Sequence, residues 1–260
     1  MSSYIGKHAE FYDLFYAEKP YQQEAAFIHF CLQSYGGGVR RLLELACGTG
    51  NHAFELEKFG YAIVATDYSK DMLACAQKKA RMLSSEVDFR IQDMRDLNLD
   101  DPPFDAAICL FDSIGYTATN DAILGTLRGV HQCIREDGLF IFEFWHAAPM
   151  IRNYEPLRIK QFQTEEGQVL RISETKMDYQ AQLAHVVYTI FDMHRDGHYQ
   201  MIKETQTNRY FLVQEMRHFL ADSGFEDIKW FAGFQNKEEI SAGDWHLVVV
   251  AKKVKKHNSE

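Results

Sequence analysis

Short apolar runs alternate with helix-length amphipathic stretches between Arg41 and Phe144. This alternation is typical of β-α-β units that build a parallel sheet. The runs are nearly continuous and rich in β-branched and aromatic residues, as expected for strands that are covered on both faces. The pattern predicts five strands, at Leu42–Ala46, Ala62–Thr66, Val87–Ile91, Ala106–Phe111 and Leu139–Phe144.

Two of the intervening stretches carry apolar residues at helical spacing. The first follows Ser69 and the second follows Asn120, and both residues are candidate N-caps. We interpret the two stretches as crossover helices. Their apolar stripes are Met72, Leu73, Ala76, Ala80 and Leu83, and Ile123, Leu127, Val130 and Ile134.

After Met150 the pattern changes to alternating or mixed apolar and polar residues. Turn sequences at Glu165–Gly167 and Arg195–Gly197 separate these stretches and favour hairpins. We expect an antiparallel insert with strands at 158–163, 169–175, 184–191 and 200–208. A helix over 213–223, with Gly224 as its C-cap, and two strands near 225–234 and 245–252 then complete the chain.

These elements predict an organisation in three parts. Residues 1–149 hold an N-terminal lid helix and a Rossmann-like cofactor-binding core, and residues 150–209 an antiparallel β insert that forms a lid or a dimer surface. Residues 210–260 supply the closing helix and strands of the core. A chain of 260 residues fits one large α/β domain with such an insert better than two equal domains.

Charge and cysteine content limit the types of binding partner and the cellular compartment that we expect. The net charge of −9 leaves no basic face for nucleic acid, so a small molecule is the expected partner. Five cysteines without a C-x-x-C pair predict free thiols in a reducing cytosol. Met1–His8 lacks an apolar signal core, and we therefore expect a cytoplasmic protein that does not enter a membrane.

The strand Leu42–Ala46 leads directly into a glycine turn, Cys47-Gly48-Thr49-Gly50-Asn51, and then into a helix. This arrangement predicts a cofactor site at the carboxyl edge of the sheet. Gly48 and Gly50 permit positive φ and let the backbone approach a ligand closely. The glycine spacing alone also half-matches the dinucleotide fingerprint, in which a pyrophosphate lies on the helix N-terminus.

Acidic residues near the ends of three successive strands favour a different cofactor. Glu44 lies beside the glycine turn, where it would repel a pyrophosphate and attract a ligand ammonium. Asp67, which follows Gly50 by 17 residues, is placed to accept hydrogen bonds from both ribose hydroxyls. Asp93 is placed to accept from an adenine amino group while Met94 packs on the ring. Together they indicate a cofactor that carries an amino acid and an adenosine.

Glu44–Asn51, Asp67 and the pair Asp93-Met94 resemble motifs of the class I S-adenosylmethionine-dependent methyltransferases. The resemblance spans 12–252 and implies a seven-stranded, mostly parallel Rossmann-like sheet whose final hairpin strand runs antiparallel. It implies S-adenosylmethionine as the cofactor. The expected cofactor-binding residues are Tyr12, Tyr21, Glu44, Ala46, Gly48, Gly50, Asn51, Asp67, Tyr68, Met72, Asp93, Met94 and Leu110.

A narrower resemblance concerns the acceptor. Four segments are similar to the nucleotide-linked aminosugar N,N-dimethyltransferases: Phe11–Tyr16, Asp93–Leu97, Phe111–Tyr116 and Glu143–Trp145. Glycine N-methyltransferase-like enzymes look like more distant relatives. The sugar enzymes tend to carry serine at the position of Asp112, so the acceptor in this chain stays open.

Methyl transfer is an in-line displacement, which needs the nucleophile held collinear with the methyl group and the sulfur. We expect Tyr12 and Tyr21 to present hydroxyls to the sulfonium methyl from an N-terminal segment that closes over the cofactor. The acceptor should lie over the fourth and fifth strands. Asp112 is the first candidate to grip or deprotonate an ammonium and His146 the second, with Tyr116 and Trp145 beside them.

Three alternatives remain at this point. An O-methyltransferase would need a stronger base, and pairing of His146 or Asp112 with a second polar residue would favour it. The glycine turn and Asp67 alone would also permit an NAD-dependent oxidoreductase, and the fold alone would permit a non-catalytic cofactor-binding protein. The histidines of the insert, His185, His194 and His198, lack metal-ligand spacing, and no metal is expected.

Overall fold

The computed structural model of the protein describes residues 6–254, so most of Met1–His8 lies outside the described residues. This part of the chain contains eight α-helices: α1 Lys7–Glu10, α2 Tyr12–Phe15, α3 Tyr21–Tyr35, α4 Asn51–Glu57, α5 Lys70–Leu83, α6 Asn120–Cys133, α7 Ala147–Asn153 and α8 Val213–Asp222. The same residues contain eleven strands: β1 Arg41–Leu45, β2 Ala62–Asp67, β3 Asp88–Ile91, β4 Phe104–Cys109, β5 Ile134–Trp145, β6 Leu157–Gln163, β7 Gly167–Asp178, β8 Leu183–His194, β9 Tyr199–Arg209, β10 Phe225–Ala232 and β11 His246–Lys253.

Seven strands form one sheet in the order β10-β11-β5-β4-β1-β2-β3. Strands β1 to β5 pair in parallel, and β11 pairs antiparallel with both β5 and β10. The predicted seven-stranded, mostly parallel α/β fold is therefore confirmed. The chain order reverses between β1 and β4, and ligands of open parallel sheets bind at such a reversal, outside the carboxyl ends of the strands.

Apolar side chains cover both faces of this sheet. Leu42 packs with residues of α3, α4 and α5 on one face, whereas Leu43 and Leu45 pack with residues of α6 and α8 on the other. Alternate residues of a strand point to opposite faces, so the unbroken apolar run of β1 buries both. The strand ends that carry the candidate site are thereby held on a rigid support.

Strands β6 to β9 form a second, antiparallel sheet in that order, which confirms the predicted antiparallel insert. Strand β9 joins this sheet to the segment that follows β4. The Tyr116 hydroxyl donates to Gln206 Oε1 at 3.4 Å, and Asn208 Nδ2 donates to the carbonyl of Asp112 at 3.4 Å. The second sheet thus stands over the carboxyl edge of the first.

The helix caps agree with the sequence in one case and differ in another. Ser69 caps α5, since its hydroxyl oxygen accepts from the Met72 N–H at 3.3 Å. The prediction of Asn120 as N-cap is wrong: Thr119 Oγ1 accepts from the Ala122 N–H at 3.2 Å, so Thr119 is the N-cap and the helix begins at Asn120. None of the helices within 6–254 is both long enough and apolar enough to cross a membrane.

Candidate active site

The turn between β1 and α4 brings the backbone to the carboxyl edge of the sheet. Gly48 and Gly50 have φ of +58° and +81°, in the left-handed region that favours glycine. A Cβ at Gly48 would lie 3.1 Å from Met72 Cε, and one at Gly50 would lie 2.7 Å from Phe89 Cζ. The turn therefore needs glycine both for its conformation and for the space around it.

The carboxylate of Asp67 holds this turn in place. One of its oxygens accepts from the Gly48 N–H at 2.9 Å, and the other accepts from the Ser69 N–H at 2.8 Å. Burial raises the pKa of Asp67 despite these donors. The side chain also lines the site cavity, so it can both fix the turn and accept hydrogen bonds from a ligand.

Glu44 is buried in β1, and its Oε2 has no hydrogen-bond partner. Burial, together with the neighbouring carboxylate of Asp67, raises the pKa of Glu44 to about 8. A carboxyl group in such surroundings ionises readily only when a cation binds beside it. Glu44 is thus suited to a ligand ammonium, and its role in binding stays a prediction.

A cavity of about 540 Å³ extends along the carboxyl edge of the sheet. Part of the predicted cofactor set forms its wall, namely Tyr12, Ala46, Gly48, Asp67, Tyr68 and Met72. The wall does not include the remaining members, Tyr21, Glu44, Gly50, Asn51, Asp93, Met94 and Leu110. The structure therefore brings about half of the predicted cofactor residues into direct contact with one cavity.

Asp93 follows β3 as expected, but its carboxylate is engaged by a neighbour. Arg95 Nε lies 2.9 Å from one oxygen and 3.0 Å from the other, and this pairing lowers the pKa of Asp93. Met94 is buried in the core that lies against α6. Recognition of adenine by Asp93 and Met94 therefore stays a prediction, and it requires Arg95 to share the carboxylate.

Helices α1 and α2 cover the glycine turn. The ring of Tyr12 lies 4.8 Å from that of Tyr16 between centroids, and the Tyr12 hydroxyl would be 4.0 Å from a Cβ at Gly48. Burial raises the pKa of Tyr12, so its hydroxyl keeps its proton. Tyr21 begins α3, and its ring makes an edge contact with that of His52, at 4.9 Å between centroids. Tyr12 is thus the tyrosine of this segment that faces both the glycine turn and the cavity.

Asp13 connects the cover formed by α1 and α2 to the glycine turn by hydrogen bonds. Its carboxylate accepts from the Thr49 hydroxyl at 2.7 Å, from Asn51 Nδ2 at 3.0 Å and from Lys79 Nζ at 2.8 Å. Asn51, a predicted cofactor residue, is therefore engaged by the cover through Asp13. The sequence analysis did not single out Asp13, although it directly follows Tyr12.

On the acceptor side, Asp112, Glu143 and His246 form a cluster. The imidazole Nδ1 of His246 lies 3.0 Å from Asp112 Oδ2 and 3.0 Å from Glu143 Oε1, and the other oxygen of Glu143 accepts from the Phe111 N–H at 2.6 Å. Partial desolvation opposes the charged form of His246, but the two carboxylates raise its pKa to about 11. Burial and Glu143 raise the pKa of Asp112 to about 6. At neutral pH the cluster thus holds two carboxylates and one imidazolium.

The backbone at this point is strained. Phe111 and Asp112 have φ of +57° and +55°, which non-glycine residues rarely adopt. Such residues each cost about 1–3 kcal/mol and concentrate at functional sites. The conformation turns Asp112, which is buried, toward the cavity wall.

His146, the second predicted acceptor residue, is not part of the cavity wall. Its Nδ1 lies 3.1 Å from the carbonyl of Asp244, and its backbone pairs with that of Phe211. Burial lowers the pKa of His146. The ring is thus held in a structural position next to the site, whereas Tyr116 and Trp145 do line the cavity.

The second sheet supplies a wall that the sequence analysis did not assign. Residues of β6 to β9 that face the cavity include Arg171, Tyr188, Gln206 and Asn208. Asn208 is buried, and its Oδ1 has no hydrogen-bond partner. Period-two alternation marks these strands in the sequence, but it does not reveal which face meets the core.

A metal ion could be held at one place in the described part of the chain. The ligand atoms of Asp112, Glu143 and His246 lie within 4.8 Å of one another. However, His246 Nδ1, the atom within 3.0 Å of both carboxylates, occupies the position that a shared cation would take. The protonated imidazole itself serves as the cation between the two carboxylates.

Three comparisons bear on the class of this protein. A family model described as a methyltransferase domain matches residues 42–138. YqeM of Bacillus subtilis (strain 168), a provisionally named methyltransferase, is 29% identical over 95% of this chain and 96% of its own length. The S-adenosylmethionine-dependent methyltransferase from Clostridium acetobutylicum ATCC 824 has the same fold, with a TM-score of 0.82, 23% identity and coverage of 96% of this chain and 98% of its own.

The chain is therefore an S-adenosylmethionine-dependent methyltransferase with the fold of the class I enzymes, and the comparisons do not support the oxidoreductase alternative. Within this class it is similar to the dTDP-3-amino-3,6-dideoxy-alpha-D-glucopyranose N,N-dimethyltransferase of Streptomyces fradiae. That relative is 29% identical over 73% of this chain and 72% of its own length.

The residues present fit the cofactor. Glu44 offers a buried carboxyl oxygen without a partner to an ammonium, and the glycine turn leaves a space beside Met72 that a Cβ would fill. Asp67 keeps acceptor capacity toward the cavity for hydroxyl groups. When bound, S-adenosylmethionine supplies an activated methyl group.

Proposed function

We propose that this methyltransferase acts on the amino group of a small molecule, of which an amino sugar is the favoured example. The observation that carries the proposal is the cluster of Asp112, Glu143 and His246 at the cavity. Similarity to the aminosugar dimethyltransferase supports the sugar acceptor. The cytoplasmic location, the homodimer and the three-part domain boundaries stay predictions.

The charge of the cluster favours a cationic group at the acceptor position. Two buried carboxylates and one half-exposed imidazolium leave a net charge of −1, and electrostatic attraction to buried carboxylates is stronger than in water. The rings of Trp145, Trp245 and Tyr116 line the same cavity and present faces that attract cations. An amine that arrives as an ammonium would be held by this arrangement.

Asp112 is the group of the cluster suited to take the proton from that ammonium. Its raised pKa of about 6 leaves it ionised at neutral pH and yet a better proton acceptor than an ordinary carboxylate. His246 keeps its own proton and holds Asp112 in place. Tyr12 and the cover formed by α1 and α2 exclude water and help to orient the methyl group toward the amine.

The test is an assay of methyl transfer to a panel of amino sugars and small amines, with product detection by mass spectrometry. Asp112→Asn should lower kcat at least about tenfold and leave the affinity for S-adenosylhomocysteine unchanged. Asp100→Asn, on the exposed loop before β4, is the matched control. The reverse pattern, with cofactor affinity lost and kcat retained, would refute this role of Asp112. Tyr12→Phe should lower turnover in the same assay.

Transfer to a hydroxyl oxygen is the second candidate, because Asp112 is indeed paired with a polar residue, His246. A base for a hydroxyl would need the imidazole in its neutral form. The raised pKa of His246, about 11, opposes that form at neutral pH. Methylation of hydroxylated acceptors that lack an amine, abolished in His246→Gln, would favour this candidate over the first.

A further inference from the structure

Arg171 lies in the cavity wall without a partner for its charge. The residue is 8% exposed, and its Nε and Nη1 are buried with no hydrogen-bond partner. Within residues 6–254, no carboxylate lies at ion-pair distance from it. A buried charge without a partner is costly, and such groups are normally paired or bound to a ligand.

The surroundings of Arg171 are aromatic. Its guanidinium carbon lies 4.7 Å from the centroid of Phe15, 5.4 Å from Tyr16, 5.6 Å from Tyr188 and 5.8 Å from Phe162. These contacts orient the guanidinium plane and strip it of water, but they do not use its N–H donors. Nε and Nη1 therefore have no acceptor in this structure, although the residue itself lines the cavity.

Two carboxylates of the same sheet are already engaged. Asp192 of β8 pairs with Lys7 at 2.6 Å, and Glu204 of β9 pairs with His8 at 2.9 Å. Both partners belong to α1, so these two acids are already engaged by the cover. Lys160, on β6, adds a second positive charge to the same cavity wall. Glu155, the carboxylate on this side of the cavity, is paired with Arg158, so the wall carries a net positive charge.

We propose that Arg171 binds an anionic group of the methyl acceptor, a carboxylate or a phosphate ester. The inference rests on the proposed function for the identity of the ligand as the acceptor. The planar fork of the guanidinium matches both anions through paired N–H donors. The acceptor is then an amine with an anionic substituent, whose ammonium faces the cluster of Asp112 and whose anion faces the second sheet.

The test is binding of inorganic phosphate and of acetate, each titrated at constant ionic strength into the protein loaded with S-adenosylhomocysteine. Fluorescence reports binding, because Trp145 and Trp245 line the same cavity. The wild type should bind at least one anion saturably. Arg171→Met should weaken that affinity at least tenfold, and Arg171→Lys should weaken it less. Arg195→Met, at an exposed position in the turn between β8 and β9, should have no effect. The anion that binds more tightly distinguishes a carboxylate from a phosphate.

Thermal unfolding separates this role from a structural one. Arg171→Met should raise Tm, because it removes an unpaired buried charge and keeps the side-chain volume. A lower Tm, the lack of saturable anion binding in the wild type, or unchanged binding in Arg171→Met would each overturn the proposal.

The proposed function is tested by separate outcomes. Failure of every amine as an acceptor would contradict that function alone, whereas equal kcat/KM of wild type and Arg171→Met on anionic amines would contradict only the anion site.

Discussion

The imidazole of His246 lies 3.0 Å from the carboxylate of Asp112, although 134 residues separate them in the chain. The two residues lie at the ends of β4 and β11, on opposite sides of β5. Glu143, on β5 between these two strands, contacts the same imidazole. The cluster therefore depends on the order of three strands and would be lost in any other sheet topology.

The pH dependence of turnover tests Asp112 directly. Asp112 must be ionised to accept a proton, and its pKa is raised to about 6 by burial and Glu143. The ratio of kcat/KM for the wild type to that for Asp112→Asn should fall as the pH drops below 6, by up to tenfold per unit. The ratio cancels the ionisation of the acceptor amine, which both proteins share. A ratio that stays constant between pH 5 and pH 8 would exclude this role.

Glu44 should make the ligand-free protein less stable as the pH rises. Its pKa is raised from 4.5 to about 8 in the folded protein, so folding favours the protonated form between these values. Stability is thus lost through this window, and Glu44→Gln, which cannot ionise, should not lose it. We expect the variant to exceed the wild type by at least about 1 kcal/mol at pH 8, or about 2–4 °C in Tm.

The two proteins should unfold at similar temperatures near pH 4.5, where Glu44 is largely protonated in the folded state. Calorimetry gives a second readout. Binding of S-adenosylmethionine near pH 7 should release a proton from the wild type, because the ammonium lowers the pKa of Glu44. Glu44→Gln should bind about tenfold more weakly and release none. Equal proton release from both proteins would show that Glu44 does not meet the ligand.

Gly48→Ala, compared with a control glycine, should distinguish the loss of cofactor binding from the strain of alanine at a positive φ. Its Cβ would lie 3.1 Å from Met72 Cε, in the space left beside the glycine turn. Gly60 is a matched control, since its φ is also positive, at +87°, and a Cβ there would meet nothing within 4 Å. Both alanine variants should lose about 1 kcal/mol of stability. Only Gly48→Ala should lose S-adenosylhomocysteine affinity, by at least tenfold. Equal affinities in the two variants would contradict the assignment of the turn.

The glycine turn and the acidic strand end that form one side of the cavity could be predicted from the sequence because their signals are local. Gly48, Gly50 and Asp67 each follow directly from a strand end, and carboxyl ends of parallel strands meet at one edge. Asp93 shows the limit of this reasoning. In the structure its carboxylate pairs with Arg95, two residues further on, which the position of Asp93 after a strand does not predict.

The acceptor half could be predicted only in part, because it depends on pairing across long distances in the chain. The register of β11 on β5 sets His246 opposite Trp145, and nothing in the local sequence fixes that register. Arg171 faces the cavity for a similar reason, since alternation in β7 leaves open which face is inward. His146, by contrast, occurs directly after a strand as predicted, but the carbonyl of Asp244 takes its ring nitrogen.

The junction between the two sheets restricts how this enzyme can be rebuilt. A Cβ at Gly115 would overlap Asn208 Oδ1 and lie 2.7 Å from the carbonyl oxygen of Arg209. Position 115, at the junction of the two sheets, therefore has no room for a side chain. The residues that face the acceptor from β6 to β9 form one continuous stretch of the chain, whereas the cofactor turn lies elsewhere. A chimaera that exchanges 157–209 for the same stretch of a relative should therefore change acceptor choice without changing the cofactor, provided that glycine at 115 and a compact residue at 208 are kept.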